Sequence, residues 1–407
     1  MKIGRLIDAN FNRTREGIRV IEDVIRFLLD DQELLVEAKN LRLGLGEVNS
    51  ILDNQLHLIN HRDTINDVGT QVTLKAEQER SDIKAVLIAN FKRVQESLRV
   101  LEEILKLLHV EASQKCKAFR YQTYELEYQT MKKFNEGGKK HMIAGIINNL
   151  AKVRETKPLI HHLTNYVTVN DCANITLQIG GLPVMADAIE EVAEMQQISN
   201  ALVLNIGTLN TELVKSMITA GQKANSLGHR VILDPVGVGA TSMRTTKVGK
   251  ILANVKVDII KGNLAEIGIL VGLEAIVRGV EAGEVSGDIM TAAQDFARKH
   301  QTTIAVTGKQ DMIINSSKTA VISNGHAMMG KISGTGCMGS SILGAFAAVC
   351  DDMFQAAVAA LACFGIAGEL AALTNPPGPL AYKTALMDCV YGLNADLINQ
   401  YARVKTL

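Results

Sequence analysis

Gly334, Thr335, Gly336 and Cys337 stand in a row inside MGKISGTGCMGSSILGAFAAV. The glycines lead straight into an Ala-rich apolar stretch of helical character, so backbone N–H groups and the positive end of a helix dipole would aim at one spot, where an anion can sit. The same turn would also let a buried helix pack closely, and taken alone the four residues fit both uses. Asp234 closes an apolar run in LDPVGVGAT, which puts its carboxylate at the carboxyl edge of a sheet. Asn263 and Glu266 form an N-x-x-E in IIKGNLAEIGIL, again just past an apolar run. Asn at that position caps the helix that follows, and Glu falls in its first turn. Glu266 is then either a carboxylate facing the cleft or half of a capping box. Asp234, Asn263 and Glu266 offer the oxygen ligands that Mg2+ prefers when it bridges nucleotide phosphates. A pre-aimed anion site beside them is what phosphoryl transfer needs.

Strand ends must hold those residues. LIHHLT (159–164), ALVLNIG (201–207), RVILDPV (230–236), VDIIKGN (257–263) and TTIAVTG (302–308) read as strands, each ending in Gly, Asn, Thr or Pro near a helical stretch. Strand and helix in alternation predict an α/β fold, a mainly parallel sheet covered on both faces, with the site at the carboxyl ends of the strands. His161 and His162 are adjacent on a strand and so point to opposite faces; without a third ligand at suitable spacing a metal role is not expected.

The chain before this region has a different texture. NFNRTREGIRVIEDVIRFL (10–28) aligns without gaps with NFKRVQESLRVLEEILKLL (90–108), and eight of the nineteen positions are identical. Each copy is an amphipathic helix, the first with Ile18, Ile21, Ile25 and Leu28 on its apolar side. Further helical stretches follow near 32–53 and 111–134, so two hairpins packed as an all-α bundle are expected. The polar NEGGKKH (135–141) reads as a linker, dividing the chain into 1–135 and 142–407. Asn12, Glu16, Arg19 and Asp23 share one helix face, which is either a solvated, ion-paired surface or part of a site. Asp8, Asn10 and Asn12 cluster near a helix start, and a polar run, HRDTINDVGT (61–70), interrupts the helices; Arg and Asn at helix starts can hold phosphate.

Bulk properties narrow the field. A chain of 407 residues exceeds what one core usually serves. Lys+Arg and Asp+Glu are both 43, and a net charge of zero argues against nucleic acid or an acidic membrane as a partner. Six scattered cysteines without a CxxC pair fit a reducing cytoplasm better than a disulfide framework. The first residues lack the apolar core of a signal peptide. The apolar stretch 354–373, with Gln355 at one end and Glu369 inside, reads as a buried helix, not a membrane span.

LDPVGVGAT, KGN-x-x-E, VTG and GTGC, in this order, resemble the ribokinase-like superfamily. KPLIHHLTNYVTVNDCANITLQIGGLPVMADAIEEV (157–192) is similar to hydroxyethylthiazole kinase, and the resemblance covers essentially all of 142–407. It implies an α/β sandwich, ATP, Mg2+, a hydroxyethylthiazole substrate, and a homotrimer with substrate between neighbouring subunits. By matching motifs it assigns Met185 and Gly334 to the thiazole, and Lys261 and Thr307 to ATP. Two positions depart from relatives. Position 261 is often Arg in that family, and Lys keeps the charge without the bidentate geometry. Related sugar kinases carry an Asp base where Cys337 stands here, so Cys337 either takes the hydroxyl proton or positions the substrate. IDANFNRTREGIRVIEDVIRF, with HRDT and DVGT, looks like the small hydroxymethylpyrimidine-phosphate kinase family over about 1–135. That resemblance implies a second ATP-dependent kinase, for which Asp8, Asn10, Arg13, Glu16, Arg19, His61 and Arg62 are the candidates. The competing expectations are a pyridoxal kinase or hydrate dehydratase for the second region, and a non-catalytic assembly or regulatory module for the first.

Overall fold

Apolar residues recurring every three or four positions give the first unit its helices: α1 (Lys2–Val24), α2 (Gln32–Leu56), α3 (Ile83–Leu105) and α4 (Val110–Thr156). The computed structural model describes residues 2–62, 80, 82–275 and 285–407. They fall into two units, Met1–Gly138 and Lys139–Leu407.

Ile18, Ile21 and Ile25 join the core of the first unit, with Phe11, Phe91, Leu98 and Leu101. Leu28 does not: it is 56% exposed. The reason is a π-helical turn at Ile25–Leu29, whose wider winding carries Leu28 off the inward face. Where α1 crosses α3, a Cβ on Gly17 would lie 2.7 Å from Val94 Cγ2, so glycine there permits the close crossing.

The repeat continues into the second helix of each hairpin. Glu22 is buried and accepts from Arg19 (3.3 Å) and Arg42 (2.6 Å). Glu102 is likewise buried and accepts from Arg99 (2.9 Å) and Arg120 (3.0 Å). Arg42 and Arg120 are 78 positions apart, so the helices of the two hairpins correspond with a small change of offset between them. The helix caps correspond too: Asp31 accepts from Leu34 N, and His109 Nδ1 from Ala112 N.

The expected linker is helical. Residues 135–141 lie within α4, and the positions of a Cβ on Gly137 and Gly138 have no neighbour within 4 Å. Glycine lowers helix stability by about 1 kcal/mol per residue, a cost the flanking turns absorb without a break.

In the second unit, the strands β1 (Leu159–Leu163), β2 (Leu182–Val184), β3 (Ala201–Asn205), β4 (Arg230–Asp234) and β5 (Ile259–Asn263) alternate with helices α5 (Val169–Ile179), α6 (Val192–Ile198), α7 (Thr211–Leu227) and α8 (Ser242–Asn254). Then come α9 (Leu264–Leu270), a ribbon of β6 (Glu274–Ala275) and β7 (Val285–Ser286), α10 (Ile289–His300), β8 (Thr303–Thr307), β9 (Asp311–Ile314) and β10 (Thr319–Ile322). Helices α11 (Thr335–Ala347), α12 (Met353–Leu373), α13 (Pro379–Gly392) and α14 (Ala395–Tyr401) precede the last strand, β11 (Val404–Thr406).

The nine-stranded sheet runs β11-β10-β9-β8-β5-β4-β3-β1-β2. Strands β2, β1, β3, β4, β5 and β8 pair in parallel, and β9, β10 and β11 add an antiparallel edge. The five strands expected from sequence are present; the edge strand β2 and the antiparallel edge are additions.

Strand parity separates two cores. Ile160, Val203, Ile232, Ile259 and Ala305 face α11 and α12, among Ile342, Phe346 and Leu361. Leu202, Leu204, Val231, Leu233, Ile260 and Ile304 face the other way, among Met217, Ala220 and Ile251. Helix α12 is the apolar stretch noted above; it is long and apolar enough to cross a membrane, but most of it is packed inside the first of these cores.

The paired arginines give a stability test. Arg42→Met leaves the buried Glu22 carboxylate with Arg19 alone, and should cost about 2–3 kcal/mol. Hydrogen exchange under denaturant would show α1 and α2 opening earlier while the sheet is unchanged; Arg120→Met should do the same around Glu102. Unchanged exchange in either variant would show that its ion pair contributes nothing.

Candidate active site

The parity that sorts the cores also builds the site. Asn205, Asp234, Lys261 and Thr307 fall on the α11 side of four adjacent strands, each at or near the carboxyl end. Helix α11 begins directly over them at Gly334, which has a left-handed φ of 92°. A Cβ on Gly334 would lie 2.6 Å from Thr168 Cγ2, so glycine is needed there twice, for backbone conformation and for space.

Asp234 is the hub. Its Oδ2 accepts from Ser340 Oγ at 2.6 Å, from Lys261 Nζ at 3.2 Å and from Asn205 Nδ2 at 3.2 Å. Lys261 Nζ also donates to the Gly336 carbonyl at 3.0 Å, and a Cβ on Gly336 would come within 3.3 Å of that nitrogen. Lys261 therefore ties the sheet to the glycine turn. Burial pulls its ammonium down, but the fields of Asp234 and Glu266 outweigh that and hold it above the ordinary lysine range.

Glu266 turns out to serve the helix cap. Asn263 Oδ1 accepts from Glu266 N at 2.9 Å, and Glu266 Oε2 accepts from Asn263 N at 2.8 Å, a complete capping box. Its other oxygen accepts from Gly237 N at 2.7 Å, which fixes the loop after β4. Burial first, and the nearby Asp234 carboxylate second, push the Glu266 carboxyl above its usual range. Two buried carboxylates face one buried ammonium here. A divalent cation fits that imbalance, since Mg2+ is commonly held by one or two carboxylates together with phosphate and water. Among the described residues no group of three or more His, Cys, Asp or Glu forms a protein-only cage.

Cys337 is half-buried, and its Sγ accepts from Asn165 Nδ2 (3.3 Å) and Asn205 Nδ2 (3.2 Å). The two amides are joined by Asn165 Nδ2 donating to Asn205 Oδ1 at 3.0 Å. With two donors aimed at it, the sulfur is presented as an acceptor. Thr335 does not face the cleft with its hydroxyl, which donates to Met329 O at 2.9 Å. Thr307 Oγ1 donates to Gly262 O at 3.2 Å. Beyond it, Gly308 N donates to Asp311, whose carboxyl burial pushes up to about 6. Met185 follows the edge strand β2 and is half-buried, with β1 and β3 between it and the strand carrying Asp234.

Asn165, Asn205, Ser340 and Arg244 were not singled out from the sequence. Arg244 clamps two loops at once, donating to Ile206 O, Gly207 O and Val236 O. The signal for Asn205 and Asn165 was position: each stands at or just past a strand end, as Asp234 does. Ser340 is one turn into α11 and looks in sequence like any small helix residue.

In the first unit the candidate residues separate. Arg62 grips Asp8 through two bonds, 2.8 and 2.7 Å, and Asn12 donates to Asp8 at 3.3 Å. The His61 ring packs so close to Gly4 that a Cβ there would lie 2.4 Å from it. Asp8, His61 and Arg62 thus come together. Asn10 does not join them: it is buried and donates to its own helix at Leu6 O, as its repeat partner Asn90 does to Val86 O. Arg19 binds Glu22 and Asp23, as Arg99 binds Glu102 and Glu103, so both arginines are accounted for by packing. Arg13 and Glu16 are exposed. Residues 63–70 of the polar run, including the DVGT motif, lie outside the described residues.

Residues 150–396 match the hydroxyethylthiazole kinase family, and residues 5–129 match the ThiD2 family. The chain is 52% identical over 254 residues to a hydroxyethylthiazole kinase of Thermoanaerobacter pseudethanolicus, covering 62% of this chain and 96% of that protein. It is 51% identical over 256 residues to one of Methanocella arvoryzae, covering 63% and 96%. A solved structure of a hydroxyethylthiazole kinase protein from Pyrococcus horikoshii superposes with a TM-score of 0.58 at 38% identity, covering 64% of this chain and 98% of that one. The α/β unit has the ribokinase-like fold.

Glu266 carries a pH signature. Its folded-state pKa lies above the ordinary 4.5, so the stability associated with it is full below 4.5 and is lost as pH rises through the raised value. Glu266→Gln has no such titration. The melting temperature of the wild type relative to the variant should fall as pH rises from acid toward neutral. Parallel curves would show that the carboxyl is not perturbed.

Proposed function

The chain belongs to the hydroxyethylthiazole kinase family, and on that premise we propose that residues 139–407 transfer the γ-phosphoryl group of ATP to the hydroxyl of 4-methyl-5-(2-hydroxyethyl)thiazole. The observation that carries this reading is the Asp234–Lys261 pair beneath the N-terminus of α11, with the Gly336 carbonyl on the same ammonium. Backbone N–H groups of the Gly334–Cys337 turn and the helix dipole would face the transferred group. Lys261 and Thr307 would lie against the nucleotide phosphates. Mg2+ would be held by Asp234 and Glu266, with Asn263 beside them, and would neutralise phosphate charge. The chain's own part is orientation and charge. Asn165 and Asn205 hold Cys337 Sγ as an acceptor, toward which the substrate hydroxyl would donate as its oxygen bonds to phosphorus and the bond to ADP breaks.

Met185 and Gly334 would contact the thiazole, the soft thioether suiting a sulfur heterocycle. Tyr166 and Val167, which follow Asn165, are 79% and 62% exposed. Exposed apolar residues at this end suit a homotrimer in which a neighbouring subunit completes the thiazole site. All six cysteines are free, in keeping with a cytoplasmic protein.

For the first unit the reading is a hydroxymethylpyrimidine-phosphate kinase, supported by the ThiD2 match and by the Asp8, His61 and Arg62 cluster. The two activities would supply the two substrates of thiamine phosphate synthesis from one chain.

The assay is phosphoryl transfer from ATP by the whole protein, run separately with the thiazole alcohol and the pyrimidine phosphate, beside Glu266→Ala. The variant should lose about 10²–10³-fold on the thiazole and nothing on the pyrimidine. Wild-type inactivity toward the pyrimidine phosphate would reduce the first unit to an assembly or regulatory module. Inactivity toward the thiazole would overturn the main reading.

A further inference from the structure

Two adjacent histidines remain outside the reaction as described, and their surroundings differ. On β1, His162 faces α5, with its Nδ1 3.0 Å from Ile160 O and its Nε2 3.5 Å from Thr176 Oγ1. Burial pushes it down to about 4. His161 faces the other side of the sheet, toward α6, and is fully buried. Its Nε2 lies 2.7 Å from the carbonyl of Ala186, the residue after Met185. Its Nδ1 lies 3.1 Å from the side-chain amide of the fully buried Gln196, whose other end is 3.2 Å from His229 Nδ1.

We propose that His161 is a positioning residue that fixes the turn carrying Met185, and so the fit of the thiazole, through the Ala186 carbonyl. Strand β2 is three residues long, and its ladder with β1 ends at the pair His161↔Val184. The next turn closes at Ala188, whose carbonyl accepts from Glu191 N and Val192 N at 3.1 Å. Met185, Ala186 and Asp187 span the gap between the two, and His161 reaches into it. A carbonyl accepts only, so Nε2 carries the proton. The ring, kept neutral by burial, then offers Nδ1 as an acceptor. Gln196 has Oε1 toward His161 Nδ1 and Nε2 toward His229 Nδ1; exchanging the two ends of that amide, which are alike in shape, turns its N–H end to His161 and its oxygen to His229 and meets that need. The chain of three side chains therefore sets both the tautomer and the aim of the ring from the far side of the sheet, much as a second group orients a working histidine elsewhere.

This inference rests on Met185 contacting the thiazole, and two substitutions separate it from a merely structural role. His161→Gln places an amide N–H near the Nε2 position and keeps the bond to Ala186. His161→Asn places its side-chain carbonyl oxygen near Nδ1, keeping the Gln196 contact and losing Ala186. In the full chain, His161→Asn should raise KM for the thiazole alcohol roughly tenfold, with kcat and the KM for ATP little changed. Amide hydrogen exchange across 185–188 should quicken in the same variant. His161→Gln should stay near wild type in both measurements. Indistinguishable exchange and KM in the two variants would overturn the proposal, as would equal rises in both KM values. If the wild type phosphorylates no thiazole alcohol, the functional reading fails separately, and the exchange comparison still decides whether His161 holds the turn.

Discussion

A carboxylate buried at the end of a central strand must be compensated, and the way Asp234 is compensated organises the second unit. Its Oδ2 receives an ammonium, a hydroxyl and an amide from three different elements: β5, α11 and β3. Breaking such a buried pair by removing one partner costs about 3–5 kcal/mol, so the partners are bound to their places. Because Lys261 also holds the Gly336 carbonyl, the constraint passes from the sheet to the glycine turn. The N-terminus of α11 is thereby fixed over the strand ends.

The two cores make that arrangement rigid. Strand parity gives each central strand one apolar face toward the Ala-rich α11 and α12 and another toward α7, α8 and α10. The small residues of α11 let it lie close: a Cβ on Gly344 would come within 2.7 Å of Val203 Cγ2. Toward the carboxyl ends of the central strands the inward face turns polar, at Asn205, Asp234 and Lys261. A site of this kind needs no movement to assemble its charges, which is the condition for electrostatic preorganisation. The imbalance of two buried carboxylates against one ammonium is one that a divalent cation would offset.

The first unit solves a related problem by duplication. Each hairpin buries one glutamate and satisfies it with an arginine three residues back and another from the following helix. Where the halves agree, as at Asn10 and Asn90 or Arg19 and Arg99, packing explains the residues. Where they differ, at Asp8 opposite Ile88, the first half gathers Arg62 and His61 and the second does not.

The sequence by itself determined the central strands, the helical repeat and the positions of Asp234, Lys261, Asn263, Glu266 and the glycine turn, because apolar period and strand-end position are local properties. It also pointed to α12 as a buried helix, through Gln355 at one end and Glu369 inside, and the packing bears this out. Tertiary structure alone decided how polar groups are spent. Asn165 and Cys337 are 172 residues apart, and Ser340 and Asp234 are 106 apart, and no local pattern links either pair. The cap that Glu266 completes was legible as a local pattern, but its bond to Gly237 was not, nor was the turn of the Thr335 hydroxyl back to Met329. Leu28 left its expected face because a π turn changed the winding, and the glycines at 137 and 138 stayed helical because flanking turns carried their cost. A side chain's type limits what it can bond, but which partner it meets depends on the packing of elements distant in the chain.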